Sequence, residues 1–357
     1  MKNIVNLGNV ATYINGYAFK PSDWAEDGTP IIRIQDLTGN SYQMNRFKGI
    51  VDSKYDVNSG DVLISWSASL GVYVWNRGNA VLNQHIFKVV FDKEEVDKDF
   101  FVFQIDNLLK RAANQAHGAT MRHLTKPVFD ALPFYLPDIK TQRLISSKLN
   151  LIVHLIEDHH EQLKKLDELI RSRFIEMFGD PIINSLKLPC KTLSTLCDLK
   201  AGIFTSASEI HEFQSAENPY PCYGGNGIRG FVDNYTQEGK FPIIGRQGAL
   251  CGNVQLASGK FRNTEHAVIV KPKVNLNVIW LYEALILENL NRLHTGAAQP
   301  GLAVNTLNQI NIPVPSIIEQ DKYEHLFIQL DKSKMAVQKS LDELETLKKS
   351  LMQTYFG

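Results

Sequence analysis

The feature that most constrains this chain is that it repeats itself. Laid on itself at an offset of 178 residues, Gly118, Ala119 and Leu124 fall on Gly296, Ala297 and Leu302, Pro137 on Pro315 and Gln142 on Gln320. Leu163, Leu166, Leu169, Ser172, Phe178 and Gly179 then fall on Leu341, Leu344, Leu347, Ser350, Phe356 and Gly357, with no gap from 118 to 179. Upstream the match is weaker and needs small gaps. His85 pairs with His266 and Gly71 with Gly252 at offset 181, and Leu7 and Gly16 pair with Leu193 and Gly202 at offset 186. A well-kept second part beside a diverged first part implies one shared mechanical role and two different recognition roles.

The well-kept segments read as long helices. A 4-3 spacing from Ile145 runs through Leu149, Ile152, Ile156, His159, Leu163, Leu166, Ile170 and Arg173 to Met177. Its copy runs from Tyr323 through Phe327, Leu330, Lys334, Val337, Leu341, Leu344, Lys348 and Leu351 to Tyr355. Such heptad periodicity, with polar residues on the other faces, is that of a coiled coil. Each segment begins just after a proline (Pro137, Pro315) and ends at a glycine (Gly179, Gly357). About 38 residues at 1.5 Å each make a rod of roughly 55–60 Å, too long to bury its stripe on one small domain. The two helices are therefore expected to bury it on each other, and an internal two-fold relation makes the pair antiparallel.

The remainder divides the 357 residues into 1–139 and 181–316, flanked by spacer helices at 140–180 and 317–357. Short β-rich runs stand at 30–37 (PIIRIQDL), 60–66 (GDVLISW), 86–91, 241–246 and 267–272, with helical candidates near 98–113 and 277–293. The expected fold is mixed α/β (α+β): two similar globular domains, separated by an antiparallel pair of long coiled-coil helices, about a pseudo-two-fold axis.

Composition then excludes several classes. Hydrophobic residues at 44% and charged residues at 21% are those of an ordinary globular chain, not of a disordered or disulfide-scaffold one. The apolar run at 278–287 is half the length of a membrane span, and the N-terminus does not read as an export signal, so a cytoplasmic protein with no membrane partner is expected. Cys190, Cys197, Cys222 and Cys251 have no C-x-x-C spacing and read as thiols of a reducing compartment. Lys+Arg and Asp+Glu are both 38, and Lys+Arg against Asp+Glu is 14 to 15 in residues 1–139 and 11 to 9 in 181–317. Neither domain has the basic excess of a strong stand-alone nucleic-acid binder, so a polyanion would be met by local groups or with help.

The catalytic signatures are missing too. Gly225, Gly227 and Gly230 in YGGNGIRG match G-x-G-x-x-G, but FVDNY follows where a dinucleotide site needs a helix. Asn218-Pro219-Tyr220 lacks the second proline of an amino-methyltransferase loop and has no upstream glycine-rich loop for S-adenosylmethionine. No P-loop, G-x-S-x-G or H-E-x-x-H is present. His154, His159 and His160 read as solvated or seam histidines rather than a metal site, because the second copy lacks them. No catalytic, cofactor or metal residue is assigned.

What remains are Arg, Gln, Asn, His and aromatic clusters in loops. In the first half these are Arg33 with Gln35, Ser65-Trp66-Ser67, Asn83-Gln84-His85, and Arg122-His123 with Lys126. In the second they are Tyr223, Asn226 and Arg229, Arg246-Gln247, Thr264-Glu265-His266, and Gln299. Arg reads guanine bidentately, and Asn or Gln reads adenine, so sets of these side chains at matching points of a repeat lean toward base recognition. From residues alone, a coiled-coil interaction scaffold with two protein- or glycan-binding domains also fits, as does an enzyme with an unrecognised site.

The chain resembles the specificity (S) subunit of type I restriction-modification systems. YGGNGIRGFVD, IIGRQGALCGNV and TEHAVIV look like blocks of that family's target-recognition domains, with LGVYVW and LNQHIFKV as their first-half counterparts. LPDIKTQRLI and VPSIIEQDKY, leading to RFIEMFGD and LMQTYFG, look like its two conserved spacers. The resemblance implies a non-catalytic subunit in which each recognition domain reads one half of an asymmetric double-stranded DNA site. It further implies that the helices fix the spacing and dock two methyltransferase subunits, joined in cleaving systems by restriction and translocase subunits. S-adenosylmethionine, ATP and Mg²⁺ would sit on those partners and none on this chain.

Overall fold

The computed structural model describes residues 3–40, 43–115, 125–248, 250–296 and 301–357. The chain forms two compact units, Met1–Asp158 with Ser340–Gly357, and His159–Lys339. The boundary falls inside both long helices, which run Ile139–Phe178 and Ile317–Phe356, 40 residues each.

The repeat is visible as sheet topology. In the first unit a four-stranded antiparallel sheet is ordered Thr12–Asn15, Ile86–Val90, Val62–Ser65, Gly71–Val74. In the second, Cys197–Ala201, Ala267–Pro272, Gln237–Gly245 and Val254–Asn263 follow the same order. Each unit also closes a two-stranded ladder from its ends: Ile4–Asn6 with Pro133–Tyr135, and Cys190–Thr192 with Asn311–Pro313. One parallel pairing recurs as well, Ile32 with Leu82 in the first unit and Tyr223 with Asn263 in the second. In the second unit the hairpin Tyr220–Gly224/Gly227–Val232 joins the main sheet through that pairing and makes it six-stranded. In the first, the corresponding strands form a separate four-stranded sheet.

Each unit has its own principal core. In the first, Leu7, Phe87, Phe100, Phe101, Phe129 and Phe134 pack with Ile145 and Leu149 of the first long helix and Phe356 of the second. In the second, Leu193, Trp280, Leu307 and Ile312 pack with Ile170, Phe174 and Phe178 of the first long helix and Tyr323 and Phe327 of the second. Repeat-related positions thus do the same work: Leu7 and Leu193, Phe129 and Leu307, Phe134 and Ile312 are all fully buried.

Within each unit the two helical segments run antiparallel. In the second, Phe178 and Phe174 meet Tyr323 ring to edge at 5.7 and 5.3 Å, and Lys334 pairs with Asp167 further along. In the first, the start of the first helix (Ile145, Leu149) shares a core with the end of the second (Leu351, Met352, Phe356). Of the expected seam residues, Ile145, Leu149, Ile152, Ile170, Phe327 and Leu341 are buried and Ile156, Leu163, Leu166, Leu330, Val337, Leu344 and Leu351 are half-buried. The strict 4-3 spacing fails at the helix ends. Arg173 is exposed while Phe174 and Phe178 are buried, and Phe356 is buried more deeply than Tyr355. An α-helix turns every 3.6 residues, so a stripe counted at 3.5 drifts, and it ends where each domain offers an aromatic pocket.

A second difference concerns the run at 30–37. Only Thr29–Ile32 is strand; Ile34–Leu37 is a helical turn, whose start is fixed by Asp36 Oδ2 accepting from Arg33 N at 2.8 Å. That local bond competes with continued pairing. The helical candidates form at Lys98–Gln115 and Val278–Leu287, the second shorter than the 277–293 window because Asn289 is left-handed at φ 48°.

Candidate nucleic-acid interface

In the first unit the polar candidates gather where three strands end. Gly16 follows the strand Thr12–Asn15 and lies so close to Asn83 that a Cβ would sit 2.0 Å from the Asn83 carbonyl oxygen. Only glycine allows that approach. It seats the segment Asn83-Gln84-His85, which is held by Gln84 N donating to Tyr17 O at 2.8 Å and Asn83 N to Ile32 O at 3.2 Å. His85 has φ 74°, a left-handed conformation uncommon for a non-glycine residue and frequent at functional sites. Trp66 covers it, with ring centroids 5.1 Å apart, and donates from Nε1 to Asn15 Oδ1 at 3.2 Å.

The second unit builds a related corner that shares several backbone contacts, although His266 does not take the left-handed conformation of His85. A Cβ on Gly202 would sit 1.8 Å from the Asn263 carbonyl oxygen, and Ile203 N donates to that oxygen at 3.2 Å. Arg246 N donates to His266 O at 3.0 Å, as Trp66 N does to His85 O at 3.3 Å. The glycine-rich run 223–230 forms the turn of the hairpin, and it explains its own composition. A Cβ on Gly245 would meet Gly225 O at 1.8 Å, and Gly225 lies beside the carbonyls of Gln247 and His266. The close approach of Gly245 therefore seats the hairpin turn at Gly225 beside Gln247 and His266, a role unrelated to dinucleotide binding.

Both corners hold buried polar atoms that no described residue satisfies. Among the described residues, buried side-chain atoms without a hydrogen-bond partner include Asn83 Oδ1 and His85 Nδ1 in the first unit. In the second they include Arg246 Nε, Asn263 Oδ1, Thr264 Oγ1, Glu265 Oε2 and His266 Nδ1. Leaving such a group unpaired costs about 1–3 kcal/mol, and two of the positions, Asn83/Thr264 and His85/His266, match between the repeats.

The other candidates fall around or away from these corners. Gln247, Asn226 and Arg229 are exposed, and Tyr223 is buried. Asn226 Oδ1 accepts from Asn253 Nδ2 at 2.7 Å. Ser65 and Ser67 are buried, the Ser65 hydroxyl donating to Ser67 O at 3.2 Å, so they shape the corner from behind. Arg33 donates to Asn45 Oδ1 at 3.0 Å and lies over the Trp24 ring, with Gln35 half-buried on the adjoining turn. Lys126 pairs with Asp130 at 2.5 Å and lies over Tyr13 and Phe87. Arg122, His123 and Gln299 lie outside the described residues.

Sequence reasoning did not single out Asn15 or Asn263, which complete the corners. Asn15 and Asn263 carried no signal beyond their place next to the Gly16 and Thr264 blocks. No helix among the described residues is long and apolar enough to cross a membrane. Cys197, Cys222 and Cys251 are buried, and burial holds the Cys197 thiol up at about 12 and raises that of Cys222.

Known proteins resemble this chain along nearly its whole length. The chain is 46% identical over 130 residues to the specificity subunit of the type I restriction enzyme EcoprrI from Escherichia coli; the match spans 36% of this chain and 32% of that protein. It is 22% identical to the EcoBI specificity subunit of the same species, over 99% of this chain and 85% of the other. In fold it is similar to the crystal structure of the type I restriction-modification S subunit from M. genitalium, with a TM-score of 0.66, 17% identity, and 99% and 96% of the two chains covered. A family model described as the type I restriction modification DNA specificity domain matches residues 2–168 and again 191–346, once on each half of the repeat. The chain therefore belongs to the type I restriction-modification DNA specificity family and carries two copies of its DNA-recognition domain.

Proposed function

We propose that this chain supplies the sequence selectivity of a type I restriction-modification complex. Each domain reads one half of a bipartite, asymmetric double-stranded DNA site, and the long helices set the separation and dock two methyltransferase subunits. The observation that carries the reading is the pair of repeat-related corners, Asn83-Gln84-His85 and Thr264-Glu265-His266, which share several backbone contacts but are lined by different side chains. A repeated domain with different chemistry at the reading point of each copy suits a site whose halves differ. Forty helical residues span about 60 Å, more than the roughly 34 Å of one DNA turn, enough for half-sites on one face of the duplex.

The chemistry belongs to the partners. Adenine N6 methylation on each half-site requires a base flipped into a methyltransferase pocket supplied with S-adenosylmethionine, and restriction requires ATP and Mg²⁺ on nuclease subunits. With Lys+Arg and Asp+Glu balanced at 38 each, the chain alone binds DNA weakly and loses that binding steeply with salt; tight binding belongs to the complex. The test is to co-express the chain with its modification subunit and map methylated adenines in host DNA. A split motif seen only with both proteins present is expected. If a co-purified complex selects no sequence from a random DNA pool, the scaffold reading replaces this one.

A further inference from the structure

The residues between the matched pairs Asn83/Thr264 and His85/His266 are Gln84 and Glu265, and the backbone makes them equivalent. Gly16 N donates to Ile86 O and Gly202 N to Ala267 O, each at 3.1 Å. Tyr17 bridges Asn83 and Ile203 bridges Thr264, both in parallel sense. Trp66 N and Arg246 N donate to His85 O and His266 O respectively. The two repeats therefore place an amide and a carboxylate of nearly the same shape at one position of the reading corner.

Their chemistry differs in one respect. An amide donates and accepts, whereas an ionised carboxylate only accepts. Glu265 Oε1 lies 3.2 Å from His266 Nε2, and Oε2 is buried without a partner. At a surface that meets phosphates a carboxylate is repelled, and it is favoured only where a donor reaches it. The base-edge donor matched to an acceptor-only group is the cytosine N4 amine, while Gln pairs bidentately with adenine N6 and N7. His266 beside Glu265, and Trp66 against His85, flank position 84/265, where the side chains of the two repeats differ as amide and carboxylate.

We infer that position 84/265 is a base-discriminating position, at which Gln84 selects adenine in one half-site and Glu265 selects cytosine in the other. This rests on the DNA-reading function above and adds which residue in each repeat separates the two halves.

The experiment uses the complex with its modification subunits and a random double-stranded DNA pool, comparing wild type, Glu265→Gln and Gln84→Glu. The substitutions are nearly isosteric, and thermal unfolding checks that each variant is folded. Glu265→Gln is expected to move one base pair of one half-site from C·G toward A·T, changing the preference there by about 5- to 150-fold, and to leave the other half-site unchanged. Gln84→Glu is expected to make the reverse change in the other half-site. A wild-type split sequence whose base preferences are the same in both variants overturns the assignment and leaves the domain-per-half-site reading standing. A wild-type complex that selects no split sequence overturns that reading and this inference with it.

Discussion

The side-chain carbonyl of Gln320 accepts the backbone N–H of Asn277 at 2.9 Å, while its amide donates to Pro315 O at 3.0 Å. Gln142 does the same in the first repeat, accepting from Asp97 N at 2.9 Å and donating to Pro137 O at 2.8 Å. Asp97 and Asn277 in turn cap the helices that follow them, accepting from Phe100 N and from Ile279 and Trp280 N. Each glutamine ties the first turn of a long helix to the start of the domain's own helix, and Gln142 and Gln320 are both 1% exposed. It is the point where recognition domain and spacer become one body.

Gln320→Leu keeps the volume but leaves the Asn277 N–H buried without an acceptor, at a cost of about 1–3 kcal/mol. Hydrogen exchange should show faster opening of Val278–Leu287 with little change in Lys98–Gln115, and Gln142→Leu should show the opposite. Equal loosening of both helices in either variant would contradict one latch per unit.

Gly202→Ala puts a methyl group 1.8 Å from the Asn263 carbonyl oxygen, a backbone atom that cannot swing aside. The second corner must shift, at about 1–3 kcal/mol, and recognition of one half-site should fall while the other is kept. Gly16→Ala, at 2.0 Å from Asn83 O, should do the same to the other half. Selection from a DNA pool by each variant complex is the check; loss of both halves from one substitution counts against independent domains.

Glu283 is 4% exposed, and burial raises its carboxyl from the ordinary 4.5 to about 7 against the opposing pull of Arg171 and Lys334. A carboxyl whose folded pKa is raised takes up protons on folding, so stability falls as pH rises from about 4.5 to 7 and levels off above. The integrated loss is on the order of 3 kcal/mol. Glu283→Gln should therefore unfold at a higher temperature than wild type at pH 8 and at the same temperature near pH 4.5. Parallel melting curves across that range would show that the burial is relieved by another route.

Leu341 is 3% exposed whereas Leu163 is half-buried, although they are equivalent in the repeat. Leu341→Asp buries an unpaired carboxylate and should cost several kcal/mol, and Leu163→Asp should cost less because its carboxylate reaches water. Denaturant unfolding of both variants gives the order directly.

Much of the fold is legible in the sequence because periodicity and punctuation are local. Pro137 and Gly179, or Pro315 and Gly357, bracket helices that run Ile139–Phe178 and Ile317–Phe356. The strand runs at 60–66, 86–91, 241–246 and 267–272 all contain strands of the main sheets. The candidate site is less legible. Arg33 and Lys126 carry the right chemistry for DNA, yet Asn45 and Trp24 engage the first and Asp130, Tyr13 and Phe87 the second. A side chain's partners across the fold do not show in its neighbours along the chain.

The sequence by itself determined that there are two copies of one plan and where the long helices begin and end, because a repeat and a helical period are properties of order along the chain. Only the tertiary structure decided which polar residues share a corner and which atoms there are left unpaired. Gly16 comes to Asn83, and Gly245 to Gly225, through backbone approaches that glycine alone permits and that no spacing in the sequence encodes.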